Sequence, residues 1–205
     1  MPKLGDSYEN AAESTATEQA ALVPGVYMCR VQAIRTEWTD ARGATQRAAD
    51  KQYVKVILDI DEGDHAGRFS DDYWSGEARD WGHTLFMSWK ETAYGILKHT
   101  FSAFDEANDG FNAKAAFLDD RWVDFVGKRL RVVWNGEEYE TDQGYTRLRV
   151  RPDRAVTEGD KPVPKVTKLD GRKVPYADYL KEQEEERTAE PPRRESAYMA
   201  ADLPF

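Results

Sequence analysis

Tyr145, Arg147, Arg149 and Arg151 stand at every second position of one short stretch. On an extended strand a period of two puts all four on one face, with Thr146, Leu148 and Val150 on the other. Alternate residues lie about 7 Å apart, close to the phosphate spacing of a single nucleic-acid strand. A ring at the end of such a row can stack a base. A second reading stays open: an exposed strand face whose arginines pair with acids on the neighbouring strand. Lys128, Arg129 and Arg131 precede this row, and Glu137, Glu138, Glu140 and Asp142 come between. A second constellation lies at 35–51, where Arg35, Arg42, Arg47 and Lys51 surround Trp38. Cations mixed with an aromatic, without a base-reading motif, suit sequence-tolerant single-strand binding. Tyr53 and Lys55 extend that platform, as does Tyr73. Trp74 serves a core at least as well, and Trp134 shares parity with Leu130 and Val132, so it is read as core.

Catalytic constellations do not emerge. His65, His83 and His99 have neither another His nor the lone Cys29 at metal-ligand spacing. Asp71-Asp72 and Asp119-Asp120 are sequence neighbours, which point apart on a strand. No phosphate-binding loop, nucleophile elbow or zinc-deaminase pattern is present. The expectation is a binding protein with no catalytic residue, no metal site and no cofactor. A nuclease using Asp71, Asp72 and Asp119 is the weaker rival.

These side chains need a scaffold, and composition limits which. The chain has 205 residues, 40% hydrophobic and 33% charged, with a net charge of −9. That excludes a protein binding by bulk positive charge, but not a local basic groove. One cysteine excludes an intrachain disulfide and fits a reducing compartment. No apolar run reaches the roughly 20 residues of a membrane span, and the first residues lack the apolar core of a signal peptide. All six Trp, and every Phe but Phe205, fall between Trp38 and Trp134, so the core is built there.

Four segments follow: a disordered arm at 1–21, a nucleic-acid-binding domain at 22–157, an extension at 158–180 and a flexible tail at 181–205. In the domain, VYMCRVQAI and QYVKVILDI alternate as strands, and GRFSDDYW (67–74) is read as the third, in a hairpin. Residues 35–51 are read as a polar loop. Ala93, Ile96, Leu97, Thr100, Phe101 and Phe104 recur at three and four, predicting a helix that ends at Asn108 to Gly110. A second short helix fits 111–126. Asn135-Gly136 reads as the turn of a final hairpin. The order β-β-β-α-β-β predicts a mostly β protein with one or two helices: an OB-like five-stranded barrel with a helix between strands 3 and 4. An open α+β sheet fits less well, because nothing would protect its edges.

The chain ends ESAYMAADLPF. Asp202, Leu203, Pro204 and Phe205 place an apolar hook and a carboxylate on a polar tail, suited to a pocket with a basic lip. This end resembles the Pro-Phe-terminated tip of bacterial single-stranded DNA-binding proteins, although only Asp202 is acidic among its last eight residues. The interior is similar to a family of phage single-stranded DNA-binding proteins. The matching segments are LVPGVYMCRVQAI, YVKVILDIDEGDHAGRFSDDY, FVGKRLRVVWNGEEYETDQGYTRLRVRPDRAVTEGD and VPKVTKLD. The resemblance implies an OB-like fold acting in phage DNA replication or recombination, in a bacterial host cytoplasm. Single-stranded DNA and tip-bound replication or recombination proteins are the expected partners, with no membrane, and homo-oligomerisation stays open. The alternative is a replisome interaction module without direct DNA binding.

Overall fold

The computed structural model describes residues 21–40, 42–70 and 82–189. Strand β1 (Gly25–Arg35) leads into a hairpin of β2 (Glu37–Thr39) and β3 (Thr45–Arg47), then a single helical turn, α1 (Ala48–Lys51). Next come β4 (Tyr53–Ile60), β5 (Thr84–Ser88), α2 (Tyr94–Ala107) and α3 (Ala113–Leu118). The long strands β6 (Arg129–Glu140) and β7 (Thr146–Ala155) follow, then β8 (Lys165–Thr167), β9 (Lys173–Pro175) and α4 (Tyr176–Ala189). No helix among the described residues is long and apolar enough to cross a membrane.

A seven-stranded mixed sheet takes every strand except β2 and β3. Its path runs β5-β4-β1-β6-β8-β9, with β7 also paired to β6. All its pairings are antiparallel except β6 with β8. The major strands keep the expected order, three before the helices and two after. β5 and β7 approach within 8 Å at Cα but share no ladder.

The core forms on one side of the sheet. Cys29, Val31, Val54, Val56, Leu58, Ile60, Leu130, Val132 and Trp134 pack against Leu97, Phe101, Phe104 and Phe125. The periodicity of α2 is met at Leu97, Thr100, Phe101 and Phe104, whereas Ile96 is exposed. Asn108 ends the helix and starts β6: its amide donates to the carbonyls of Phe104 and Arg129, and its Oδ1 accepts from the Arg129 N–H at 2.9 Å. In β1 a register shift between Val31 and Ala33 turns Ile34 to the core side with Cys29 and Val31. Cys29 is fully buried, and burial pushes its thiol up to about 12. A thiol reagent is therefore expected to label Cys29 only when denaturant unfolds the chain; labelling of the native protein at the rate of a free thiol would contradict this packing.

Several expectations are corrected. Residues 67–69 of the expected third strand form a turn, in which Gly67 N–H donates to Ile60 O and Phe69 N–H to Asp59 Oδ1. The third major strand is instead β5. On the opposite parity of β4, Ile57 and Asp59 are buried as well, and Asp59 Oδ1 accepts from the N–H groups of Ile60 and Phe69. The 35–51 loop contains β2, β3 and α1. Asn135-Gly136 lies inside β6, and the turn is at Thr141–Tyr145, closed by Thr141 N–H to Tyr145 O at 2.9 Å. Gly136 provides close approach: a Cβ there would lie 2.9 Å from Leu148 Cδ1, 3.0 Å from Pro24 Cγ and 3.1 Å from Val166 Cγ2. The glycine with φ +78 that the turn requires is Gly144.

The extension at 158–180 adds β8 and β9 to the same sheet, and residues 181–189, the start of the segment read as tail, are helical and continue α4. Four α-helices stand among the described residues against the one or two expected. Residues 1–20, Asp71, Asp72, Tyr73, Trp74 and the tip Asp202, Leu203, Pro204 and Phe205 lie outside the described residues.

Candidate nucleic-acid interface

Tyr53 is placed by a strained entry. Gln52 adopts a left-handed conformation with φ 57, costly for a residue with a Cβ. Its N–H donates to Ala48 O at 2.7 Å, while its carbonyl accepts from Trp89 N–H and Ser88 Oγ, both at 3.0 Å. These bonds tie α1, β4 and the end of β5 into one corner. Val54 and Val56 then point into the core, so Tyr53 and Lys55 take the outer face.

Cross-strand register brings further residues there. Lys55 stands opposite Arg35 on β1 and Phe86 on β5. Phe86 is 55% exposed because its neighbours Leu85 and Met87 take the buried parity. Trp38, from the β2–β3 hairpin, stacks on Tyr53 at 5.1 Å between centroids and 25° between planes. Phe86 meets Tyr53 edge-on at 5.3 Å, and Lys55 Nζ lies 5.0 Å from the Trp38 ring centre. Three aromatic rings and two cations thus share one outer corner of the sheet.

Asp40 shapes the hairpin that carries Trp38. Its carboxylate accepts from Arg42 N–H, Ala44 N–H and Gln46 Nε2, and the two backbone bonds hold its carboxyl below the usual range. Arg47 Nε pairs with Glu37 Oε1 at 3.2 Å across the hairpin, both side chains well exposed. Arg42 and Lys51 are exposed nearby.

On β7, Arg147, Arg149 and Arg151 keep the parity opposite Leu148 and Val150, and Val150 packs on the core. Tyr145 precedes the strand, in the turn, and is 63% exposed. The row is partly occupied by the protein's own acid. Arg149 Nε donates to Glu137 Oε2 at 2.9 Å, Arg151 lies 4.0 Å from the same oxygen, and the Arg149 guanidinium sits 5.4 Å from the Tyr139 ring centre. That hydrogen bond holds the Glu137 carboxyl below its ordinary range. The second reading, arginines paired with acids of the neighbouring strand, is met at Arg149 and Arg151. The strands that carry Phe86 and the arginine row, β5 and β7, also approach one another.

Sequence reasoning missed Phe86, since TLFMS fell outside the expected strands. The available signal was its parity, one apolar residue between two others in a five-residue strand. The three histidines do other work. His65 meets Tyr27 edge-on, His83 Nδ1 lies 2.7 Å from Leu58 O, and His99 Nε2 is 2.7 Å from Asp160 Oδ2. No group of three or more His, Cys, Asp or Glu able to hold a metal occurs among the described residues. Comparison with protein-family models gives no match, and comparison with curated proteins gives none.

Proposed function

We propose that this protein binds single-stranded nucleic acid on the outer face of an OB-like barrel, without catalysis. Trp38, Tyr53 and Phe86 stack bases, while Arg35, Lys55 and the Arg147 row follow the phosphates. The observation that carries this reading is the aromatic corner of half-buried Trp38 and Tyr53 and exposed Phe86, with Lys55 over the Trp38 ring. The strand order and the approach of β5 to β7 support the barrel. Arg42, Arg47, Lys51 and Tyr145 flank the path. The excess of acid elsewhere disfavours duplex DNA, whose charge is denser.

The biological setting of this reading is phage DNA replication or recombination in a bacterial host. The tip Asp202–Phe205 recruits replication or recombination proteins there. One observation favours the second reading, an interaction module without DNA binding: Arg149 and Arg151 turn to their own Glu137.

Titration with labelled oligo-dT at several salt concentrations decides between them. Single strands are expected to bind, with log K falling against log salt at about −0.7 per phosphate contact. A salt-insensitive affinity, or duplex bound as tightly as single strand, would sink the proposal.

A further inference from the structure

The arginine row contains an acid placed where a phosphate would lie. Glu137 faces Arg149 directly in the β6–β7 register, and one of its oxygens serves both Arg149 and Arg151. Its backbone is held on both edges: β7 pairs with it on one side, and β8 pairs in parallel on the other, with Glu137 opposite Thr167. A backbone paired on both edges sets the place from which the carboxylate is presented. Tyr139 completes the enclosure by lying under the Arg149 guanidinium. The neighbouring acids differ. Glu138 Oε2 accepts from Leu169 N–H, a bond that anchors the extension. Glu140 is exposed at the end of β6, opposite Thr146.

We propose that Glu137 is a built-in competitor for the nucleic-acid phosphate, holding Arg149 and Arg151 until a polyanion displaces it. This rests on the reading of the face as a single-strand site and adds its regulation. In the free protein Arg147 is the member of the row left to meet an incoming strand, while Arg149 and Arg151 engage only after the carboxylate is released. An isolated anion gains too little from one arginine to displace a tethered carboxylate. A strand that already holds Arg147 and the aromatic corner presents its next phosphates at high local concentration. The device thus selects polymers over mononucleotides and lowers the measured salt slope below that expected from counting cations.

The experiment uses the full chain, oligo-dT, and four variants: Glu137→Gln, Glu137→Ala, Glu140→Gln and Arg149→Ala, with the double Glu137→Gln/Arg149→Ala. Either change at Glu137 is expected to tighten binding roughly three- to tenfold at low salt. The slope should steepen by about 0.7 to 1.4, one or two phosphate contacts. Glu140→Gln makes the same change in net charge and should tighten binding less than twofold. Arg149→Ala should cost little in the parent and roughly fivefold or more once Glu137 is neutral, because its phosphate contact is then already made. If Glu137→Gln and Glu140→Gln behave alike, or the Glu137 and Arg149 effects simply add, the competitor role is wrong although the site stands. If neither parent nor Glu137 variants bind oligo-dT, the site itself is wrong and the competitor falls with it. Binding that appears only in the Glu137 variants supports the competitor in its strongest form.

Discussion

Trp38→Ala is expected to weaken oligo-dT binding by roughly 5- to 150-fold, the about 1–3 kcal/mol that one base–aromatic stack contributes. The size follows from the position of the ring. Trp38 lies on Tyr53 on one side and near Lys55, so it is already oriented and loses little rotamer freedom when a base arrives. The fold should persist with reduced stability, because Trp38 packs partly against the core although the β2–β3 hairpin stands outside the main sheet. The salt slope should stay nearly the same, since stacking releases few counterions. Trp38→Phe keeps a ring and should recover most of the affinity. Fluorescence titration measures both quantities, and thermal melting checks the fold. Parental affinity in Trp38→Ala would move the platform away from this corner.

The largest effect on stability is expected at Gly136. Gly136→Val should destabilise the fold by about 1–3 kcal/mol, because branched carbons would enter space held by Leu148, Pro24 and Val166. Leu148 can shift, but the Pro24 ring cannot, and Val166 is fully buried. For a chain of this size that is roughly 2–12 °C in Tm. Gly144→Ala, in the hairpin turn, should cost only about 1 kcal/mol, the penalty of a left-handed residue with a Cβ. Differential scanning calorimetry of the two variants separates these causes. If Gly136→Val melts with the parent, β7, β8 and the segment before β1 do not converge on this point.

The contrast between these glycines shows where local pattern is informative. Asn-Gly is a strong hairpin signal because both residues tolerate positive φ. At Asn135-Gly136 the pair serves other purposes: Asn135 Oδ1 accepts from Lys165 N–H at 2.9 Å, and Gly136 admits three neighbours. Those neighbours come from residues 24, 148 and 166, and a local window around 136 contains none of them. The third strand was missed for a similar reason. GRFSDDYW alternates well enough, but Asp59 takes the N–H of Phe69 and folds the chain back after β4.

Periodicity alone was sufficient for β1, β4, β7, α2 and the first half of β6, because alternation at two and recurrence at three and four depend only on which face is buried. It also identified the outer parity of Tyr53, Lys55, Arg147, Arg149 and Arg151. Pairing was another matter. That Phe86 stands opposite Lys55, and that Glu137 answers Arg149, depends on strand registers spanning 31 and 12 residues of sequence. Such registers are selected by the packing of Trp134, Phe104 and Phe125 beneath the sheet, not by the residues they bring together on its surface.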